Sequence, residues 1–451
     1  MISTKTLEQK INQLINSGNL SELQITQLLG AVQSLNDSSF LTVDAVENLP
    51  DLESNLGRLV YVSGEEKFYF GDTTSWRADL NSTFLAFNIA AYAWGSNTNG
   101  RLGDGTTVAK TSPITVIGDI TNWSQVSGGN NHSLGLTDDG IAYAWGRNTN
   151  GQLGDGTTVA KNSPITVIGD ITNWSQVSGG ADHSLGLTDD GIAYAWGSNI
   201  QGRLGDGTTI ARSSPVTVVG GITNWSQVSA GKSGHSLGLT DDGIAYAWGR
   251  NLTGDLGDGT TVSKSSPVTV IGGITNWSQV SAGFNHSLGL TDDGIAYAWG
   301  ANTNGRLGDG TTVAKSSPIT VIGDITNWSQ LSAGNAHSLG LTDDGIAYAW
   351  GSNIQGRLGD GTTTSRTSPI TVIGGITNWS QLSGGAIHSL GLTDDGIAYA
   401  WGNNTNGRLG DGTTVAKSSP ITVIGDITNW SQVSAGAYHS LGIETILRKG
   451  F

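Results

Sequence analysis

Apolar and polar residues alternate over short stretches that recur along most of the chain. In the first complete copy these stretches are residues 113–117, 123–127, 132–136 and 141–145. Alternation with a period of two predicts β-strands, and the T-D-D-G tetrapeptide before the last stretch contains an Asp-Gly pair typical of tight hairpins. The pattern therefore predicts four strands per copy. Pro113 is expected to open its strand, where a missing N–H group costs least.

Two tryptophans and one histidine mark every copy, with a period of 51 or 52 residues. The Trp of the A-Y-A-W-G strand recurs at Trp94, Trp145, Trp196, Trp248, Trp299, Trp350 and Trp401. The seven histidines of the chain keep the same period at His132, His183, His235, His286, His337, His388 and His439. Several short strands per period of about 50 residues are typical of a β-propeller, so seven copies predict seven blades. We expect the tryptophans to fill the wedge between neighbouring blades.

The two ends of the array complement each other. The last copy reaches His439 and the following S-L-G-I, but it lacks the T-D-D-G turn and the A-Y-A-W-G strand. The first A-Y-A-W-G strand has no H-S-L-G-L strand before it. We therefore expect residues 90–94 to pair with residues 439–443. This pairing would close the ring and remove the open edges that promote aggregation.

The repeated motif W-G-x-N-x-x-G-x-L-G-D-G, followed by Pro and then by G-x-x-H-S-L-x-L, resembles the regulator of chromosome condensation repeat. The resemblance spans about residues 89–443. It implies an all-β, seven-bladed propeller over residues 89–451. Members of this family include nucleotide-exchange factors, enzyme inhibitors and binding modules, so the resemblance implies a fold rather than one function.

The first 88 residues have a different pattern. Residues 4–17 and 19–35 carry apolar side chains at helical spacing, which predicts a pair of short helices within residues 1–39. The pair either packs against the protein itself or serves as an anchor or oligomerisation element. Residues 40–52 are expected to be a connector, and residues 58–62 and 67–70 to form a β-hairpin in a small module spanning residues 40–88. The segments V-E-N-L-P-D-L, G-R-L-V-Y-V and K-F-Y-F-G-D-T-T-S-W resemble a small module of tailed-bacteriophage virion proteins.

Composition excludes several classes of protein. The chain has 22 Lys and Arg against 37 Asp and Glu, a net charge of −15. This acidity argues against binding the phosphate backbone of nucleic acids, which requires clustered cations. There is no cysteine, so disulfide scaffolds and thiolate metal sites are excluded. The first 18 residues lack the apolar core of a signal peptide, and no apolar run is long enough to insert into a membrane.

None of the repeated polar residues predicts catalysis or a cofactor. The seven histidines share one G-x-x-H-S context, so one kind of structural hydrogen bond explains all of them. A shared metal would need ring nitrogens about 2.1 Å from one ion, whereas packed sheets stand about 10 Å apart. The Asp residues do not match a calcium loop, and the Gly-rich motif lacks the Lys of a phosphate loop. Because a catalytic site is normally asymmetric, the near-symmetric array argues against an enzyme.

Two positions vary among the copies while their flanking residues stay the same. One lies between Gly and His in G-x-x-H, and the other follows W-G. One interpretation is drift at exposed loop positions. The other is a contact face on one side of the propeller, since large apolar residues at exposed loop tips favour binding. The residues expected on this face are Asn130, Asn131, Asp182, Lys232, Phe284, Asn285, Asn335, Ile387 and Tyr438.

These patterns lead to one main hypothesis and two alternatives. The main hypothesis is a non-enzymatic phage virion protein whose N-terminal region binds other virion proteins, with self-association as a further possibility. Its propeller would bind a host-surface glycan or protein. The first alternative is a cytoplasmic regulator that uses the propeller as an exchange factor or a scaffold for protein partners. The second is a secreted enzyme inhibitor, which the missing signal peptide disfavours.

Overall fold

The computed structural model describes residues 40–43, 59–62, 67–71, 76–77, 85–425, 427 and 429–449. The chain divides into two compact units, residues 88–446 and residues 1–87 with 447–451. The two predicted N-terminal helices lie outside the described residues. In the described part of the chain, no helix combines the length and the apolar character that a membrane span requires.

The smaller unit contains one four-stranded sheet. Its strands are β1 (Phe40–Val43), β2 (Leu59–Val62), β3 (Lys67–Gly71) and β4 (Trp76–Arg77), in the order β1-β2-β3-β4. β2 and β3 pair antiparallel with Val62 opposite Lys67, which confirms the predicted hairpin. β1 pairs parallel to β2 and lies where the sequence suggested only a connector.

Seven four-stranded antiparallel sheets form the larger unit, and successive sheets pack around a ring. The innermost strands carry N-W-S-Q: Trp123–Gly128 (β7), Trp174–Gly179 (β11), Trp225–Ala230 (β15), Trp277–Ala282 (β19), Trp328–Ala333 (β23), Trp379–Gly384 (β27) and Trp430–Ala435 (β31). The second strands are His132–Thr137 (β8), His183–Thr188 (β12), His235–Thr240 (β16), His286–Thr291 (β20), His337–Thr342 (β24), His388–Thr393 (β28) and His439–Lys449 (β32). The fold is therefore the predicted seven-bladed β-propeller.

The two outer strands of every sheet complete the blades. The third strands are Leu85–Gly95 (β5), Ala142–Gly146 (β9), Ala193–Gly197 (β13), Ala245–Gly249 (β17), Ala296–Gly300 (β21), Ala347–Gly351 (β25) and Ala398–Gly402 (β29). The outermost strands are Lys110–Thr115 (β6), Lys161–Thr166 (β10), Arg212–Thr217 (β14), Lys264–Thr269 (β18), Lys315–Thr320 (β22), Arg366–Thr371 (β26) and Lys417–Thr422 (β30). Single 3-10 turns follow the third strand at Thr98–Gly100, Ile200–Gly202, Thr303–Gly305, Ile354–Gly356 and Thr405–Gly407.

The strand that contains S-P pairs with strands that precede it in the sequence, so it completes the preceding blade and does not open the next one. Blade one, for example, has the order β7-β8-β9-β10, so its outermost strand comes from the next copy of the motif. The expectation that Pro113 opens its strand is wrong, because β6 begins at Lys110. Between Lys110 and Ile114 the register with β5 shifts, so the proline lies in a bulge of an outer strand. A residue without an N–H group is tolerated there because it interrupts no regular ladder.

Blade seven is built from both ends of the propeller and has the order β31-β32-β5-β6. The N–H of Ser96 donates to the carbonyl of Tyr438 at 3.0 Å, and the Tyr92 hydroxyl donates to Glu444 at 2.7 Å. The predicted pairing of the first and last strands is therefore confirmed. The N–H of Val126 in blade one donates to Gln432 Oε1 of blade seven at 2.7 Å, a bond that recurs between the other neighbouring blades.

The core lies between blades, in seven clusters that each combine residues of two neighbouring blades. The A-Y-A-W-G tryptophans are fully buried in these clusters. Trp145, for example, donates its indole N–H to the carbonyl of Arg101 at 2.9 Å. The same bond forms at Trp196, Trp248, Trp299, Trp350 and Trp401, so six of these seven side chains pack in the wedge and also satisfy their polar atom there, whereas the indole N–H of Trp94 has no partner among the described residues.

The seven histidines form a second set of contacts between blades. Each imidazole is fully buried, and its Nε2 pairs with the Ser hydroxyl of the H-S pair in the next blade, as in His132–Ser184 at 2.9 Å. His439 pairs with Ser133 at 2.8 Å and completes the circle. Burial is the main cause that lowers the pKa of His132 and His235 to about 3. The imidazoles are therefore neutral at physiological pH.

Candidate binding face

One face of the propeller carries both of the variable loops that the sequence analysis singled out. Gly128 lies opposite Ser133, His132 opposite Gly146, and Gly146 opposite Lys161, so these residues mark one end of blade one. The G-x-x-H loop and the long loop after W-G both connect strands at this end. We call this side the loop face and the opposite side, which carries the T-D-D-G turns, the turn face.

The structure separates the residues predicted on the contact face into three groups. Phe284 and Tyr438 are 38% and 43% exposed. Six others are half-buried in loops of the same face: Asn130, Asn131, Asp182, Asn285, Asn335 and Ile387. Lys232 is only 7% exposed, so its expected place on an exposed surface is wrong.

Lys232 reaches across the ring instead of pointing to solvent. It belongs to blade three, yet its ammonium donates to the carbonyl of Gly384 at 2.6 Å and to that of Ala435 at 3.0 Å. These carbonyls end the innermost strands of blades six and seven, which have a strand neighbour on one side only. The long aliphatic side chain spans the gap and supplies the missing donors. Burial lowers the pKa of this ammonium to about 7.

A ring of arginines lies on the loop face, and no single position of the repeat reveals it. Five copies carry Arg in G-x-L-G, whereas the other two carry Gln152 and Asp255 at that position. Those two copies, and no others, carry Arg directly after W-G. Each blade therefore contributes one guanidinium. We call this set the arginine ring: Arg101, Arg147, Arg203, Arg250, Arg306, Arg357 and Arg408.

Six of the seven guanidiniums of the ring, all except that of Arg203, donate hydrogen bonds to the G-x-x-H loop of the next blade. Arg357 Nη1 donates to the carbonyl of Ala386 at 3.2 Å, and Arg306 makes the same bond to Asn335 at 3.0 Å. Arg147 and Arg250 reach the same loops through side chains, at Asp182 and at Asn285. A sequence signal for this ring exists, but it is visible only when the residue in G-x-L-G and the residue after W-G are compared together in each copy.

The arginine ring has few counter-charges within the protein. Among the described residues, Arg147 pairs with Asp182 at 3.2 Å and Arg250 with Asp255 at 2.8 Å, while the other five guanidiniums form no ion pair. Asp182 and Asp255 also attract Arg203 and Arg306 without pairing with them. These five are more than nine-tenths buried. Burial is the main cause that lowers the pKa of Arg101, Arg357 and Arg408 to about 10. Because burying an unpaired charge is costly, an anionic group bound at this face would be favourable.

Tyr438 links two members of the ring. Its aromatic ring centroid lies 5.7 Å from the guanidinium carbon of Arg101 and 5.7 Å from that of Arg408. A cation over an aromatic face contributes about 0.5–1 kcal/mol at an exposed site. These contacts fix the orientation of Tyr438 while leaving part of its ring exposed.

The turn face has the opposite charge. T-D-D-G occurs in six copies, and both of its aspartates are exposed in every one. Within the propeller, the acidic residues are therefore concentrated away from the arginine ring. Such a separation attracts anionic groups to the loop face and repels them from the turn face.

A pocket of about 320 Å³ opens on the loop face next to the arginine ring. It is lined in part by five of the predicted contact residues: Asn130, Asp182, Lys232, Phe284 and Asn285. Asn131, Asn335, Ile387 and Tyr438 lie elsewhere on this face. Among the described residues, no group of three or more His, Asp or Glu side chains is arranged to hold a metal ion.

Family models and known proteins both match the propeller repeats of this chain. A model of the RCC1-like domain matches residues 211–446, and models of the regulator of chromosome condensation (RCC1) repeat match residues 90–136, 139–187, 123–152 and 174–203. The ultraviolet-B receptor UVR8 of Arabidopsis thaliana is 33% identical over 328 residues, 70% of this chain and 74% of UVR8. The human E3 ubiquitin-protein ligase HERC2 is 32% identical over 371 residues, which cover 79% of this chain but only 8% of HERC2.

Solved structures with the same fold are more distant in sequence. Human WBSCR16 superimposes with a TM-score of 0.72 at 23% identity and covers 79% of this chain and 98% of its own. Prp20p of Saccharomyces cerevisiae superimposes with a TM-score of 0.71 at 22% identity, over 81% of this chain and 94% of its own. These likenesses concern the fold alone. Taken with the matches to the repeat and to UVR8, the seven-bladed ring of W-G and G-x-x-H-S copies identifies the chain as a member of the regulator of chromosome condensation (RCC1) repeat family.

Proposed function

We propose that this propeller is a protein-binding module that receives an acidic segment of a partner protein on its loop face. The arginine ring carries the proposal, because every blade supplies one guanidinium even where the position of the arginine changes. Five of these cations have no carboxylate partner among the described residues. An acidic segment would provide the counter-charges that the protein itself lacks.

Two further features support binding of a protein rather than of a small ion. Phe284 and Tyr438 expose large aromatic surfaces beside the cations, and aromatic residues with Arg are the usual anchors of protein interfaces. The loops around them differ from blade to blade, which gives a nearly symmetric ring an asymmetric surface. Among the relatives, Prp20p was solved with a study of its binding to Gsp1p and histones.

The relatives favour the cellular alternative over the virion hypothesis. The proteins compared include a plant receptor and a human ligase, and none of the matches supports the resemblance of the N-terminal module to a phage protein. None of the matches supports virion proteins or host-surface glycans as partners either. The ligase name of HERC2 does not extend to this chain, which matches 8% of that protein. We therefore favour a regulator or interaction scaffold that acts through binding.

The proposal can be tested with two polymers of opposite charge. Fluorescence anisotropy with labelled poly-glutamate and poly-lysine should give salt-sensitive binding of poly-glutamate by the isolated propeller. Substituting Arg306→Gln and Arg357→Gln together should weaken this binding, and copy two already carries Gln152 at the equivalent position, so glutamine is compatible with the fold. Arg366→Gln is the matched control, because Arg366 pairs with Asp360 on an outermost strand. Equal binding by all variants, or binding of poly-lysine alone, would refute the proposal.

A further inference from the structure

The third blade breaks the symmetry of the loop face. Its G-x-x-H loop has three residues before the histidine, Lys232, Ser233 and Gly234, where each of the other six copies has two. Gly234 adopts a φ of +123°, a conformation that favours glycine. A Cβ atom at this position would lie 2.6 Å from the guanidinium carbon of Arg203. The inserted residue therefore changes how the loop meets the arginine ring at one place only.

Two arginines in identical local sequences show the effect of this insertion. Arg203 and Arg357 both lie in W-G-S-N-I-Q-G-R-L-G. Arg357 donates Nε to Ile354 O at 3.2 Å and Nη1 to Ala386 O at 3.2 Å. Arg203 makes the first of these bonds, to Ile200 O at 3.1 Å, but the lengthened loop offers no acceptor for its terminal nitrogens. Arg203 as a whole residue is 6% exposed and lines the pocket described above.

Two other polar atoms of the same pocket also lack a hydrogen-bond partner within the protein. Ser233 Oγ and Asn130 Oδ1 are both buried and unpaired, although Asn130 Nδ2 donates to the carbonyl of Lys232 at 3.1 Å. Buried polar atoms are nearly always satisfied, so these two unpaired atoms, next to the unbonded terminal nitrogens of Arg203, indicate a missing ligand. The terminal nitrogens of Arg203 and the Ser233 hydroxyl offer two or more hydrogen-bond donors, and Asn130 Oδ1 offers one acceptor.

The remaining walls of the pocket define the rest of the ligand. Phe284 and Ile200 present exposed apolar surfaces. The Asp182 carboxylate is paired with Arg147, and the Lys232 ammonium is bonded across the ring, so neither supplies a free charge. A volume of about 320 Å³ lies at the lower end of the range for ligand pockets, about 300–1,000 Å³, which suits one or two side chains.

We propose that this pocket binds a carboxylate of a partner protein together with an adjoining apolar side chain. The terminal nitrogens of Arg203 and the Ser233 hydroxyl donate to the carboxylate, since a guanidinium fork matches both of its oxygens. Asn130 Oδ1 accepts the backbone N–H of the same residue. The apolar neighbour packs against Phe284. This inference rests on the proposed function and assigns the partner's anchor residue to one pocket of the loop face.

The carboxylate could belong to an acidic side chain or to a free C-terminus, and small peptides distinguish the two. The probes are N-acetyl-aspartyl-phenylalanine amide, its asparaginyl counterpart, and N-acetyl-asparaginyl-phenylalanine with a free carboxylate. Titration of the whole protein, followed by NMR or calorimetry, should give saturable binding of the aspartyl amide and none of the asparaginyl amide. Binding of the free acid alone would assign the pocket to a C-terminus, and binding of neither acidic probe would overturn the inference.

Variants of Arg203 and of an arginine outside the ring test the site itself. Arg203→Gln should weaken binding of the aspartyl amide at least about tenfold, as expected for loss of a charge-assisted hydrogen bond. Arg366→Gln should leave it unchanged, because Arg366 pairs with Asp360 on an outermost strand. Deleting Ser233 restores the loop length of the other copies and should also abolish binding, with the melting temperature checked for both variants. Equal affinity of the wild type and Arg203→Gln would overturn the inference. Should poly-glutamate still bind in that case, the proposed function would stand without this pocket.

Discussion

The seven buried histidines between the blades make the stability of the propeller sensitive to acid. Seven neutral imidazoles are fully buried between blades, and burial holds the pKa of His132 and His235 at about 3. In the unfolded chain a histidine titrates near pH 6.5. Below that pH the unfolded chain binds more protons than the native ring, so stability falls as the pH falls from 6.5 towards 3 and is unaffected by these groups above 6.5.

The expected size follows from these two pKa values. A pKa difference of one unit corresponds to about 1.36 kcal/mol, so each of His132 and His235 should remove about 2 kcal/mol of stability between pH 7 and pH 5. Burial lowers the pKa of the other five histidines as well. These five losses have the same sign, and the losses at His132 and His235 alone, about 4 kcal/mol together, are a large part of the roughly 5–15 kcal/mol stability of a typical domain.

Thermal unfolding followed by fluorescence of the 15 tryptophans measures this effect directly. The melting temperature should fall steeply between pH 7 and pH 5. His132→Gln serves as the comparison, because a variant with one histidine fewer should lose about 2 kcal/mol less over the same range. A melting temperature that does not depend on pH, or identical slopes for the variant and the wild type, would mean that the imidazoles can be protonated in the folded ring.

Three further predictions concern single features. Compared with Lys232→Met, the wild type should gain roughly 2–3 kcal/mol in its free energy of unfolding between pH 6 and pH 9, because the Lys232 ammonium loses its proton near pH 7 in the folded protein and near pH 10.5 in the unfolded chain. Urea titrations measure this gain, with Lys315→Met as a control. A difference between wild type and Lys232→Met that stays constant with pH would refute the prediction. Deleting residues 1–94 should abolish a cooperative melt and cause aggregation, whereas deleting residues 1–39 should leave the melt intact. Substituting Phe284→Ser and Tyr438→Ser together should lower stability by about 1 kcal/mol and weaken poly-glutamate binding at least tenfold. Unchanged affinity would favour the interpretation that these loops vary by drift at exposed positions.

The period of the motif was enough to predict the fold, because seven equal copies and two complementary ends leave one way to close the ring. The boundary between blades was not predictable, since a periodic pattern does not say where a unit begins. Lys232 was placed wrongly because a charge in a loop is normally solvated, and the carbonyls that accept it lie in strands more than 150 residues away. The arginine ring was missed because its members alternate between two positions, and only their shared contact with the next blade makes them equivalent.

The construction of blade seven has a consequence for synthesis of the chain. β5 pairs with β32, and roughly 340 residues separate the end of the first from the start of the second. At about 5–20 residues per second, translation of this interval takes between roughly 20 and 70 s. For that time the third and fourth strands of the last blade have no inner neighbour, while blades one to six are completed one after another, the sixth with β30. A ribosome that stalls within the final copy therefore releases a six-bladed protein with one unpaired edge.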